Sequence, residues 1–130
     1  MKEIYREMSK ETGINEKKLE KYDEKAKQIS HIITICMRRN PESKLPEIED
    51  IIATGCVIQN IYLMLKPLGI AGYLSTGDIC YSEQTKKFLN LNENERCLGF
   101  FQLGIPLNDI KLPDKKRIPA SEKTEWIDGN

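Results

Sequence analysis

The apolar positions change their spacing several times along the chain, and each change predicts an element. Leu19, Tyr22, Ala26 and Ile29 recur at helical spacing within an otherwise charged stretch. Asn15 can cap that helix and Glu16 suits its first turn. Thr12-Gly13 separates it from a shorter helix carrying Ile4, Tyr5 and Met8. The pattern then turns β-branched: Ile32-Ile33-Thr34-Ile35-Cys36 reads as a buried strand. Arg38-Arg39-Asn40-Pro41 ends it with charge and a turn signal. A double arginine suits phosphate, yet a solvated strand end is the plainer reading.

Pro46 to Leu68 reads as a helix opened by Pro46 and Glu47. Between Ile51 and Leu65, 11 of 15 residues are apolar, too many for one stripe. Such a helix must be covered on nearly all sides, as the centre of a domain or against a second copy. Gly55 permits a close neighbour, and Pro67 and Gly69 stop the helix. Ala71 to Leu74 is a short strand candidate, followed by a turn at Ser75-Thr76-Gly77-Asp78. Ser82 can cap a helix of about two turns through Phe88 and Leu89. Cys97-Leu98-Gly99-Phe100-Phe101-Gln102-Leu103 is a second buried strand, ended by Gly104 and Pro106. The tail is charged and proline-containing, with a late Trp126-Ile127 that can dock on an apolar surface. No internal repeat or low-complexity segment interrupts this order, which predicts an α/β or α+β sandwich. We read one domain over 1–130: a charged helical segment (1–28), a core (29–106) and a C-terminal extension (107–130).

Composition narrows the chemistry. Lys plus Arg is 20 and Asp plus Glu is 20, so the formal net charge is zero. That argues against nucleic-acid binding by bulk charge. Of the first 27 residues, 15 are charged, which reads as a solvated helix face. Gln59 and Asn60 interrupt the longest apolar run, so no membrane span is expected. The charged start lacks the apolar core of a signal peptide, which predicts a cytoplasmic protein. Cys36, Cys56, Cys80 and Cys97 are widely separated and there is one histidine, His31, so neither zinc nor a disulfide framework is expected. Cys36, Cys56 and Cys97 sit among apolar neighbours and are expected as buried free thiols. Gly72 and Gly77 have the spacing that opens a P-loop, but Asp78-Ile79 replaces its Lys-Ser/Thr. Neither G-x-G-x-x-G nor G-x-S-x-G is present, and no catalytic side chain is assigned.

A family resemblance adds to this. Ala53-Thr-Gly-Cys-Val-Ile-Gln-Asn60-Ile-Tyr-Leu, continuing through Leu68-Gly69-Ile-Ala-Gly72-Tyr-Leu-Ser-Thr-Gly77, resembles the nitroreductase family. Further matches follow in order: Phe88-Leu-Asn-Leu91, Arg96 through Pro106, Lys115-Lys116-Arg117-Ile118-Pro119, and Glu122-Lys-Thr-Glu-Trp126. The resemblance implies an α+β sandwich with a mixed central sheet and a long buried central helix. It implies FMN as cofactor, NAD(P)H as electron donor, and a nitroaromatic or quinone-like small molecule as acceptor. It further implies a homodimer, and the apolar circumference of the 47–68 helix predicts that this helix makes the central contact, with Ile51, Ile58, Tyr62 and Leu65 in it. Leu74, Ser75, Thr76 and Gly77 match the loop that offers backbone groups to the flavin ring, and Lys115 and Arg117 match the pair that meets the phosphate. A guanidinium grips phosphate at two points and lysine adds a point charge.

The family's N-terminal Arg-Arg-Ser element has no counterpart here, so the chain is expected as an N-terminally truncated domain. Leu74 stands where relatives often carry an aromatic residue, and Pro67 where they often have alanine. A second reading follows from the missing element: a non-catalytic remnant serving only as a dimerising or binding module.

Overall fold

The computed structural model describes residues 1–10, 13, 15–107 and 116–127. Helices α1 (Lys2–Met8) and α2 (Glu16–Gln28) lead into strand β1 (His31–Arg38), helix α3 (Glu47–Leu65) and strand β2 (Ala71–Ser75). Two short helices, α4 (Asp78–Tyr81) and α5 (Glu83–Phe88), precede strand β3 (Glu95–Gly104), and a 3-10 turn spans Ala120–Glu122. The caps read from the sequence are present. Asn15 accepts from the Lys18 N–H at 3.2 Å, and Ser82 accepts from the Thr85 N–H at 3.1 Å.

The strands form one sheet in the order β1-β3-β2. The α+β class is as expected, but among the described residues the sheet is wholly antiparallel rather than mixed. Thr34 stands opposite Phe100, and Leu74 opposite Phe101. Alternation along β3 sends neighbouring side chains to opposite faces, and a register shift at Leu98, opposite Ile35/Cys36, brings Cys97 to the same face as Phe100. On one face Phe100 and Cys97 meet Ile4, Tyr5 and Leu19 from the N-terminal helices and Ile79 and Cys80 from α4. On the other, Phe101 meets Ile35 and Leu65, with Ile58, Ile61 and Leu74 around them. Phe101 is completely buried, worth about 1.5–3 kcal/mol against exposure.

Two expectations about burial are corrected. Strand β1 was expected to be buried, yet Ile32 is 46% and Ile33 40% exposed, because β1 is an edge strand with little covering those positions. Helix α3 was expected to be covered on nearly all sides. It turns only a narrow stripe inward, Asp50, Thr54, Ile58, Ile61 and Leu65, and of these only Leu65 is buried, with the rest half-buried. Ile48, Ile52, Val57, Leu63 and Met64 face outward and are each more than half exposed. At 19 residues and mean hydropathy 1.3, α3 is long and apolar enough to cross a membrane by those criteria alone. Ile58, Ile61 and Leu65 pack on the sheet, but, contrary to the expectation from sequence, Gln59 and Asn60 do not bring the segment below those criteria. In the tail, Trp126 and Ile127 do not dock on the described residues: they are 83% and 93% exposed.

Arg38 and Arg39 close the end of β1 as structural ties. Arg38 pairs with Glu95 at 2.6 Å, and Arg39 with Asp50 at 3.0 Å. Arg39 also donates to the Leu45 carbonyl at 2.6 Å.

Helix α3 rests on the sheet where β2 has no side chain. A Cβ built on Gly72 falls 2.5 Å from both Leu65 Cδ1 and Phe101 Cε1. Gly72→Ala should therefore destabilise the chain by about 1–3 kcal/mol through overpacking. Urea unfolding of the two proteins, compared at equal m-value, measures this.

Candidate functional site

The turn between β2 and α4 is pulled from both sides. Leu74 packs toward the α3 core and its N–H donates to Tyr62 Oη at 2.9 Å, while Ile79 and Cys80 are buried in the opposite core. The chain crosses between them at Ser75-Thr76-Gly77. Gly77 makes the crossing with φ 121° and ψ −174°, a combination essentially restricted to glycine. The Gly77 carbonyl accepts the Cys80 N–H at 2.8 Å, and the Ser75 carbonyl accepts the Cys80 thiol at 3.5 Å. The turn is thus fixed at both ends.

Ser75, Thr76 and Gly77 form one wall of a cavity of about 770 Å³. Helices α1 and α2 form the facing wall, through Tyr5, Met8, Tyr22 and four lysines, Lys17, Lys18, Lys21 and Lys25. That volume is in the range of small-molecule sites. The aromatic part is ordered by its own contacts. Tyr5 and Tyr22 have ring centroids 5.7 Å apart, and Lys18 Nζ lies 4.5 Å from the Tyr5 centroid. Tyr5 Oη accepts the Asn15 N–H at 3.2 Å, which ties the start of α2 to α1. Burial, reinforced by Tyr5 and Cys80, raises the Tyr22 phenol above its usual range, so it is neutral at pH 7.

The predicted residues divide between this wall and other places. Ser75, Thr76 and Gly77 line the cavity; Leu74 turns its side chain into the α3 core. Arg117 is exposed in the tail, and Lys115 lies outside the described residues. The lysines were read as a solvated helix face, and Lys17, Lys18 and Lys21 are indeed exposed. What that reading missed is that their side of α2 faces the turn. The available signal was their register: Lys17, Lys21 and Lys25 repeat at i, i+4 and i+8.

The thiols differ from expectation. All four are free, but Cys36 and Cys56 are exposed, Cys36 on the edge strand and Cys56 on the outward side of α3. Cys80 and Cys97 are buried. Burial pushes the Cys97 thiol up to about 12, so it offers no thiolate nucleophile near neutrality. Among the described residues no group of His, Cys, Asp or Glu is arranged to hold a metal ion. The arrangement offers backbone groups, aromatic surface and lysine cations, which suits holding a planar anionic ligand.

No protein-family model matches the chain. Its sequence is 26% identical over 110 residues to the "Putative NAD(P)H nitroreductase YfhC" of Bacillus subtilis (strain 168), covering 85% of this chain and 55% of that protein. The chain thus spans about half the length of the curated relative it matches. The nitroreductase-like family protein from Bacillus cereus superposes with a TM-score of 0.73 at 21% identity, covering 98% of this chain and 68% of that one. The nitroreductase family protein from Streptococcus pneumoniae TIGR4 gives 0.52 at 17% identity, covering 96% and 56%.

The buried thiols give a direct check of the site's packing. A thiol reagent at pH 7.5 should leave Cys80 and Cys97 unmodified in the native chain and label both after denaturation, as read by mass spectrometry. Because Cys97 loses its proton near its ordinary pKa of 9.0 when unfolded but only near 12 when folded, the unfolded state binds fewer protons between those values. Stability should therefore fall as pH rises from about 9 toward 12, and less steeply in Cys97→Ala. The chain has the nitroreductase-like fold, and its sequence resembles that of a nitroreductase.

Proposed function

We propose that the chain serves an oxidoreductase of the nitroreductase type, holding FMN in the cavity between α2 and the Ser75-Thr76-Gly77 turn. The observation that carries this reading is the coincidence of two independent results. Three of the four residues matched to the family's flavin loop, Ser75, Thr76 and Gly77, form a wall of a cavity of about 770 Å³. FMN, when bound, supplies the redox chemistry, accepting hydride from NAD(P)H and passing electrons to a nitroaromatic or quinone-like acceptor.

The cavity's residues fit such a group. At Gly77 a ligand can approach the backbone, because even a Cβ built there would meet nothing within 4 Å. Backbone donors at the turn suit negative charge that grows on a ring as it is reduced. The facing lysines supply positive potential, and Tyr5, Met8 and Tyr22 supply apolar surface. Lys115 and Arg117 are proposed to meet the phosphate from the tail. No side-chain nucleophile is required.

A homodimer through α3 belongs to the same proposal, in a cytoplasmic protein. The support is the outward apolar face of α3, which would otherwise leave Ile48, Ile52, Val57, Leu63 and Met64 in water. An isologous pairing would bury that face against itself. Ile58 and Leu65 face the sheet and are not part of this surface. Ile52→Asp with Leu63→Asp should thus convert a sedimenting dimer to monomer with the far-ultraviolet spectrum kept. A stable monomer of the unmodified chain at micromolar concentration would refute the dimer.

Purified chain mixed with FMN and desalted should retain flavin absorbance, bleached by NADH or NADPH without oxygen. Gly77→Ala should cost roughly 1–3 kcal/mol of stability by its backbone conformation alone and should weaken flavin retention. A folded chain that retains no flavin sinks the proposal and leaves the non-catalytic binding module.

A further inference from the structure

Helix α2 carries its charges in segregated rows. Lys17, Lys21 and Lys25 repeat at i, i+4 and i+8 with Lys18 beside them, and Glu16, Glu20 and Glu24 repeat on the same spacing. Like charges at i, i+4 oppose helix stability while Lys17–Glu20 and Lys21–Glu24 at i, i+3 favour it, so local helix formation does not decide which row faces the cavity. The structure gives each row a different setting. The lysine row lines the cavity, where Asp78 is the single carboxylate among the described lining residues. Among the described residues the ion pairs use Lys2, Lys10, Arg38, Arg39 and Arg96, and none uses Lys17, Lys18 or Lys21. Lys18 is steered by the Tyr5 ring, 4.5 Å from its Nζ, rather than by a carboxylate.

We propose that Lys17, Lys18 and Lys21 form an anion-binding row that grips the phosphate of the ligand held between α2 and the Ser75–Gly77 turn. A concave wall of one sign over aromatic surface focuses potential on its contents, and ammonium groups pair with phosphate oxygens as point charges. From Lys17 to Lys21 the helix advances about 6 Å, and both residues line the cavity together with the Ser75–Gly77 turn. The half-buried Lys25 continues the row further along α2. The row supplies cations at the cavity itself, whereas Arg117 is exposed and is not among its lining residues. The inference rests on the flavin reading for the identity of the ligand.

The test has two arms on the full chain. Calorimetric titration with inorganic pyrophosphate should show saturable binding that weakens with added salt. Lys17→Gln/Lys18→Gln/Lys21→Gln should weaken it at least 10-fold with the circular-dichroism spectrum kept, and Lys86→Gln/Lys87→Gln on α5 should leave it within 2-fold. In the second arm, flavin fluorescence should show FMN binding at least 10-fold tighter than riboflavin. The triple variant should reduce that preference at least 5-fold without changing riboflavin affinity, and Lys86→Gln/Lys87→Gln should leave it within 2-fold. Absence of saturable pyrophosphate binding, equal binding by the triple variant, or equal affinity of the unmodified chain for FMN and riboflavin would each overturn the proposal. If neither flavin binds while pyrophosphate behaves as described, the flavin reading falls and the anion row stands.

Discussion

Strand β3 is hydrogen-bonded on both edges and packed on both faces, and the rest of the chain is arranged around it. Its neighbours Phe100 and Phe101 point into different cores, one closed by the N-terminal helices and α4, the other by α3. Both rings are at most 3% exposed. Because the side-chain period of a strand is two, a slip of one residue in β3 would exchange the two faces at once. The pairing with β1 fixes that register over nearly the whole strand, and the pairing with β2 fixes it again from Ala71 to Ser75. A doubly specified strand of this kind lets a short chain hold two small cores instead of one large one.

The candidate site follows from that division. After Ser75 the chain must leave the α3 side, where Leu74 is packed, and enter the other core at Ile79. Few residues separate the two, and Gly77 absorbs the change of direction in a conformation that side chains disfavour. The turn therefore sits at the margin between the cores, where Ser75, Thr76 and Gly77 line a cavity walled on its other side by α1 and α2. A rigid margin held by packing on both sides can present backbone groups at fixed positions, which a free loop cannot do.

Much of this was legible in the sequence, and what was not legible shares a cause. The helices, their caps at Asn15 and Ser82, and the strand through Phe100 and Phe101 follow from periods and capping chemistry that act within a few residues. Exposure does not act locally. The run Ile32-Ile33 has the composition of a buried strand, but only its place at the sheet edge determines that it is half open. Cys36 and Cys56 were misjudged in the same way, from apolar neighbours in sequence rather than from neighbours in space. The turn at Ser75-Thr76-Gly77 was found through family resemblance, since its residue types alone read as an ordinary turn. The lysines were missed because a solvated face and a cavity wall have the same composition. Only the position of α2 against that turn separates them.

The two exposed helix faces call for different physical treatment. On α2 the exposed groups are lysines, whose hydration makes them stable in water with or without a ligand. On α3 they are aliphatic, and water gives them no such compensation. The attachment of α3 is also uneven along its length. Its second half is held by Ile58, Ile61 and Leu65 against the sheet. Its first half relies on the Arg39–Asp50 and Arg96–Glu47 ion pairs, both partly open to solvent. Solvent-open pairs contribute only about 0–1 kcal/mol each, so Ile48 and Ile52 stand on the more weakly anchored half. Covering that half with an apolar surface would exclude water from the ion pairs as well as from the isoleucines. The pairs would gain strength provided their hydrogen bonds stay complete. The association proposed for α3 would then do more than hide apolar surface: it would fix the start of the helix against β1, and just before the far end of β1 Ser30 already donates to the Leu103 carbonyl of β3.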